Sequence, residues 1–184
     1  MPTGMLFWLA QDRGGMLRTI RERGPALLVP LAWTAVGAAQ FELVSPRSIF
    51  IAHLVMATFI TFFLLTGWSE MQTGALAGWR AIMVVGLGVT LAGVGGFLSP
   101  SGATALWTTS LVGWMILPAV GLAYTGMLLP TATRIYVVSA AASGVGAGLY
   151  LGSLLGLTGL FAVLGLALVG LSQTVGIVDA VTRF

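Results

Sequence analysis

The sequence predicts an all-α fold: a polytopic membrane protein, built as a compact bundle of six transmembrane helices behind an N-terminal amphipathic interfacial segment. Three observations predict it. Of 184 residues, 58% are hydrophobic and 7% are charged, whereas an ordinary soluble domain carries about 25% charged residues. A soluble fold of this length has too few charges to cover its surface, and the mean hydropathy of +1.02 agrees. The apolar residues gather into six runs of helix-spanning length, which takes about 20 residues. Turn-forming residues separate most of the runs: "SPRS" at 45–48, "SPSGAT" at 99–104 and "LPTATR" at 129–134.

Residues 1–24 differ from the rest of the chain. In "MLFWLAQDRGGMLRTIRERG" a short apolar head precedes the basic residues, the reverse of a secretory signal. Leu6, Leu9, Ala10, Met16, Leu17 and Ile20 share roughly one helical face, so the segment is expected to lie in the cytoplasmic interface, bent at Gly14–Gly15. Residues 25–184 form the transmembrane domain, with spans expected at 25–44, 48–68, 79–98, 104–129, 134–153 and 157–178. The fifth and sixth runs meet at "GSLLGLTG" with almost no polar loop. One continuous helix there, rising about 1.5 Å per residue, would far exceed the bilayer, so a tight turn is expected.

Arginine placement sets the expected orientation. With the amino terminus inside, Arg13, Arg18, Arg21, Arg23, Arg80, Arg134 and Arg183 fall on the cytoplasmic side and Arg47 alone on the other. That is a positive-inside bias, and it puts both termini in the cytoplasm, with the cell membrane as the expected location. Trp68, Trp79 and Trp107 fall near interfaces, as in an aromatic belt, whereas Trp33 falls within a span.

The stretch "SAAASGVGAGLYLGSLLGLTG" sets Ala140, Gly144, Gly148, Gly152 and Gly156 four residues apart. Residues at that spacing share a helix face. In lipid, helix association depends on close packing and is favoured by small residues, so a helix-packing seam is expected there. Gly88, Ala92 and Gly96 repeat the device on the third helix. The partner is another helix of the chain or a second copy.

Few polar residues fall inside the spans. His53 is the only histidine; an ionisable residue within a membrane marks a functional site by default. Its own helix face continues through apolar Met56, Ala57, Ile60 and Leu64. Gln40 and Glu42 at the end of the first span, with Arg47 in the turn, are expected to join His53 in an outer polar cluster that binds substrate or carries protons. On the inner side Glu70, Arg80, Arg134, Gln173 and Asp179 are candidates for a second group, although Arg80 and Arg134 are expected rather to snorkel to the interface, and Asp179 and Arg183 stand at pairing distance along one helix. Pro118 interrupts the fourth helix and frees a backbone carbonyl, a device transporters use near the midplane. Ser139, Ser143, Thr108, Thr109, Ser172 and Thr174 are expected to satisfy their hydroxyls within their own helices.

Much chemistry is excluded. The chain has no cysteine, hence no disulfide, thiolate metal site or cysteine nucleophile. All eight basic residues are arginine, so no lysine is present for a Schiff base. Zincin, P-loop and GxSxG motifs are absent, as is the basic stripe that nucleic acid requires. No catalytic set, metal or resident cofactor is expected. The exception is haem or quinone at His53, with Met115 as an opposite haem ligand. Glycine is rich in helices three and five, which do not correspond in an inverted repeat of three helices. The function these features suggest is a small transporter or channel for a small solute or ion, acting as a homo-oligomer or with a partner membrane subunit. The alternatives are a non-catalytic subunit of a larger membrane complex and a haem- or quinone-binding membrane protein.

Overall fold

The computed structural model describes residues 23–183, so the amphipathic segment expected over residues 1–24 lies almost wholly outside the described residues. The fold is all-helical. Helix α1 occupies residues 23–40. It is followed by α2 (Pro46–Gly67), α3 (Gly74–Leu98), α4 (Ala103–Leu128), α5 (Thr133–Leu154) and α6 (Gly159–Arg183), with a single 3-10 turn, Pro100–Gly102, between α3 and α4. Helices α2 to α6 are each long and apolar enough to cross a membrane, and large hydrophobic side chains such as Leu65, Val138 and Leu171 point outward. The chain is an integral membrane protein.

Local chemistry accounts for the ends. Ser45 caps α2 by accepting from the Ser48 amide, with Pro46 in the first turn, where a missing N–H costs nothing. Helix α1 closes with paired bonds from Leu43 N to Ala38 O and from Glu42 N to Ala39 O, and α5 closes the same way, from Leu157 N to Gly152 O and from Gly156 N to Ser153 O. Both are Schellman motifs, whose turning residue sits in the left-handed region. That residue is Gly156 at φ 86° in one and Glu42 at φ 57° in the other.

Three expected boundaries shift. Helix α3 begins at Gly74, not at residue 79, so Trp79 and Arg80 lie inside it. Helix α6 continues to Arg183, past residue 178, where the Arg183–Asp179 pair at 2.6 Å closes its last turn. Phe41, Glu42, Leu43 and Val44 belong to the link before α2 rather than to the end of a span, because the Schellman closure ends α1 first.

Short links make successive helices antiparallel neighbours, and α4 touches α3, α5 and α6. Helix α1 completes the bundle: Gly24 lies against Phe63 of α2, and Trp33 lies against Gly170 of α6. Two apolar clusters result. One joins Met115, Ala147, Tyr150, Ala162, Leu166 and Val169; the other joins Leu122, Ala132, Tyr136 and Ala140.

The helix seams within the chain do not follow the expected glycine stripe. A Cβ at Gly144 or Gly148 would meet nothing within 4 Å, and Gly156 is outside the helix. Of the expected set on α5, Ala140 is buried and Gly152 faces Leu157 and Phe161. The seam lies on the neighbouring face. A Cβ at Gly146 would come within 2.8 Å of Gly165 O, and one at Gly165 within 2.6 Å of Gly146 O. On α3, Gly88 is open and Ala92 half-buried, while Gly86, Gly93 and Gly96 are buried and face Trp114, His53 and Trp107. The physical reason is bulk: the buried glycines of these helices sit where a backbone or a ring must enter, and a four-residue repeat alone does not identify that face.

Candidate functional site

The buried polar groups collect around α4. At one end of the bundle His53 Nδ1 is 2.9 Å from Ile49 O. A carbonyl oxygen only accepts, so Nδ1 carries the proton and Nε2 faces Ser110 Oγ of α4 at 3.4 Å. Gly93 makes the room, since a Cβ there would lie 2.5 Å from Nε2 and 2.7 Å from Ser110 Oγ. Phe97 packs edge-on to His53 at 5.7 Å, and Phe50 and Trp107 flank Phe97. The polar partner that the second helix does not supply to His53 thus comes from α4.

The expected outer cluster does not assemble. Gln40, Glu42 and Arg47 are exposed, and among the described residues none of them bonds to His53. Glu42 ends α1 instead, in the left-handed region at φ 57°, and its side chain is exposed.

The centre of the site is at Pro118, inside α4 as expected and buried. Proline has no N–H to give to the carbonyl four residues back, which is that of Trp114. Gln173 of α6, 2% exposed, supplies the missing donor. Its Nε2 lies 3.2 Å from Trp114 O, 3.0 Å from Met115 O and 2.9 Å from Ser143 Oγ of α5. Ser143 Oγ in turn donates to Met115 O at 3.1 Å. Trp33 Nε1 of α1 donates to Gln173 Oε1 at 3.0 Å. An indole N–H only donates, so that bond fixes which end of the amide faces α4. Four helices meet at this one side chain, between the two apolar clusters.

Two expectations are overturned by this arrangement. Ser143 bonds across to α4, not within its own helix, because Pro118 leaves an interhelical acceptor beside it. Gln173 belongs to the middle of the bundle, not to an inner-face charge group. Of that group, Arg80 stacks its guanidinium 4.8 Å from the Trp68 ring centre, and Asp179 pairs with Arg183. The buried Tyr136 hydroxyl has no partner at bonding geometry, and the Asp179 carboxylate is its electrostatic neighbour.

The α3–α4 pair carries a repeat of two helices, which a comparison of helix triplets misses. Residues 78–90, GWRAIMVVGLGVT, and 113–125, GWMILPAVGLAYT, share Gly, Trp, Val, Gly, Leu and Thr in register. The two copies contact each other reciprocally. Trp114 Nε1 donates to Thr90 Oγ1 at 2.9 Å, and Trp79 Nε1 donates to Thr125 Oγ1 at 3.0 Å. Gly86 faces the Trp114 ring and Gly121 the Trp79 ring; Gly78 faces Tyr124 and Gly113 faces Val89. Every contact has its counterpart, so the antiparallel pair has a local two-fold axis across the helices. Pro118 corresponds to Met83, so only one copy lacks the ladder N–H at that position. The signal that finds this site from sequence is the recurrence of W-x6-G-L-x2-T, read together with a buried glutamine.

A shallow apolar groove of about 400 Å³ runs over α3 and α4 beside Val85, Val89 and Val112, and it faces outward from the bundle. No family model, curated protein or solved structure matches this chain.

Proposed function

We propose that this integral membrane protein is a small transporter for a small solute or ion, with its binding centre at Pro118 of α4 and not in the outer cluster. One observation carries the reading: the Trp114 carbonyl, which Pro118 leaves without its ladder N–H inside a membrane helix, and Met115 O beside it are reached by side chains from neighbouring helices, Gln173 and Ser143. Irregular backbone at membrane depth occurs where it is buried in protein or lines a cavity, and transporters bind their cargo at such breaks. The reciprocal α3–α4 pair supports it, because two-fold relations lying across the membrane accompany midplane sites. The arginine-rich end then faces the cytoplasm. The test is flux into proteoliposomes containing this chain alone, across a panel of small ions and neutral solutes. Uptake lost in Gln173→Leu, with the variant still folded, supports the reading; no flux of any solute by folded protein refutes it.

A second reading, a membrane subunit that works with a partner or a second copy, is favoured by Gly144 and Gly148, which open a smooth strip on the outer face of α5. Stable co-purification from native membrane in mild detergent tests it; a monodisperse single chain counts against it.

A further inference from the structure

We propose that the cavity between the start of α5 and the end of α6 is a site for a phosphate group, carried by an anionic lipid or free in solution. It lies at the arginine-bearing end of the bundle, apart from Pro118, and does not rest on the transport reading. The cavity holds about 300 Å³ and is lined by residues 130–135 and by Arg183. Helix α5 starts there without a side-chain cap and without an acid in its first turn. Ala132 N donates to Leu129 O, and the amides of Ile135 and Tyr136 donate to Ala132 O. Among the described residues no backbone bond occupies the amides of Thr133 and Arg134. Open N–H groups at a helix start, which carries roughly half a positive charge, favour an anion.

The side chains add to that charge instead of offsetting it. Arg134 lines the cavity from the first turn of α5, where the helix dipole disfavours a cation. Arg183 gives its Nε to Asp179 at 2.6 Å, and among the described residues no bond takes its terminal nitrogens. Two guanidiniums and two open amides thus face one carboxylate. A guanidinium fork meets phosphate oxygens two at a time, and phosphate has oxygens enough for both forks where a carboxylate has two. Basic pockets between membrane helices at the cytoplasmic surface take lipid headgroups by this chemistry.

A buried group at the same place points to a ligand independently. Tyr136 is fully buried, and its hydroxyl has no partner at bonding geometry. Its electrostatic neighbours are Asp179 and Arg183. A phosphate that engages Arg183 competes with Asp179 for the guanidinium. The carboxylate so released accepts from the Tyr136 hydroxyl, and the anion thereby gives that hydroxyl the partner it lacks.

The test uses the full chain purified in neutral detergent and titrated at fixed ionic strength with phosphatidylglycerol, phosphatidylcholine, inorganic phosphate or chloride. Thermal unfolding and native mass spectrometry follow binding. A saturable rise in unfolding midpoint with phosphatidylglycerol, beyond that with phosphatidylcholine, supports the site and marks a lipid headgroup as its source. A rise with inorganic phosphate, beyond that with chloride, supports it and marks the free anion as sufficient. Arg134→Gln and Arg183→Gln should each weaken binding about tenfold, whereas Arg47→Gln at the other end of the bundle should leave it unchanged. Should Arg183→Gln not fold, Arg134→Gln, an exposed position, decides. Tyr136→Phe should weaken binding severalfold without lowering the midpoint of the anion-free protein. The proposal is overturned by phosphatidylglycerol and inorganic phosphate acting no differently from phosphatidylcholine and chloride. It is overturned equally by a response that Arg134→Gln leaves intact.

Discussion

Adding one methyl group at Gly165 should separate α5 from α6. A Cβ there would sit 2.6 Å from Gly146 O, 2.9 Å from Tyr150 N and 3.2 Å from Tyr150 Cβ. Two of those atoms are backbone and cannot rotate away. A carbon and a carbonyl oxygen rest at about 3.3–3.6 Å, so the helices must part locally by roughly 1 Å. A radial gap of about 0.5–1 Å forfeits a quarter to a half of each dispersion contact. The contacts at stake include Ala147, Ala162, Leu166 and Val169, all buried in one cluster. Overpacking of this kind costs about 1–3 kcal/mol, and about 2 kcal/mol lowers the folded-to-unfolded ratio roughly thirtyfold. The control is Gly148→Ala on α5, where nothing lies within 4 Å and alanine favours helix by about 0.5–1 kcal/mol. Reversible SDS unfolding in mixed micelles, followed by tryptophan emission and far-UV circular dichroism, measures both. The reasoning is refuted if Gly148→Ala loses as much stability as Gly165→Ala, because the working seam would then be the open strip.

Gln173→Leu should lose about 1–3 kcal/mol, since it orphans buried carbonyls and the Trp33 N–H; Pro118→Ala should restore an N–H to Trp114 O and recover part of that loss, which a double-mutant cycle in the same unfolding assay reads as coupling. Thr90→Val and Thr125→Val should each cost about 0.6–1.7 kcal/mol, the range of interhelical hydrogen bonds in lipid; the two losses should be similar because the contacts are reciprocal, and a several-fold disparity would contradict the two-fold relation. Glu42→Gly should stabilise the protein by about 1 kcal/mol by relieving a left-handed non-glycine residue, a gain visible as a higher unfolding midpoint. Because the chain has no native cysteine, single cysteines at Glu42, Ser101 and Thr158 should label from one side of a sealed vesicle and those at Gln72 and Thr131 from the other.

Composition and run length made the fold class legible, because a membrane span must be apolar throughout and about 20 residues long. The missing ladder bond at Pro118 was legible for a similar reason: the lack of an N–H is a property of the residue itself. The faces of the helices were not. When nearly every residue is apolar, hydrophobic periodicity carries little phase information, and glycine spacing was the substitute. It did not mark the seams within the chain, where Gly144 and Gly148 are open, and it passed over Gly146 and Gly93, which admit Gly165 and His53. Gln173 was misplaced because a glutamine near the last turns resembles an interfacial residue until its acceptors on α4 are known. The cluster of His53 with Gln40, Glu42 and Arg47 rested on closeness in sequence, and the left-handed residue at Glu42 sends that turn outward.

The placement of α4 explains why polar groups concentrate on it. It is the helix that touches α3, α5 and α6, so its polar atoms are the most shielded from lipid and must be satisfied by neighbours. At Ser110, Trp114 and Thr125 they are satisfied by fixed pairs: His53, Thr90 and Trp79. At Trp114 O, which Pro118 leaves without its ladder N–H, the partner is the side chain of Gln173, and Gln173 and Ser143 also reach Met115 O. A backbone N–H cannot leave its carbonyl without unwinding a turn, whereas a side-chain amide leaves by rotating. The backbone at Pro118 can therefore exchange partners while the helix turns on either side of it stay intact. That is the requirement for a centre that binds and releases within a packed bundle, and among the interiors of α2 to α6 it is met where proline has removed the ladder bond.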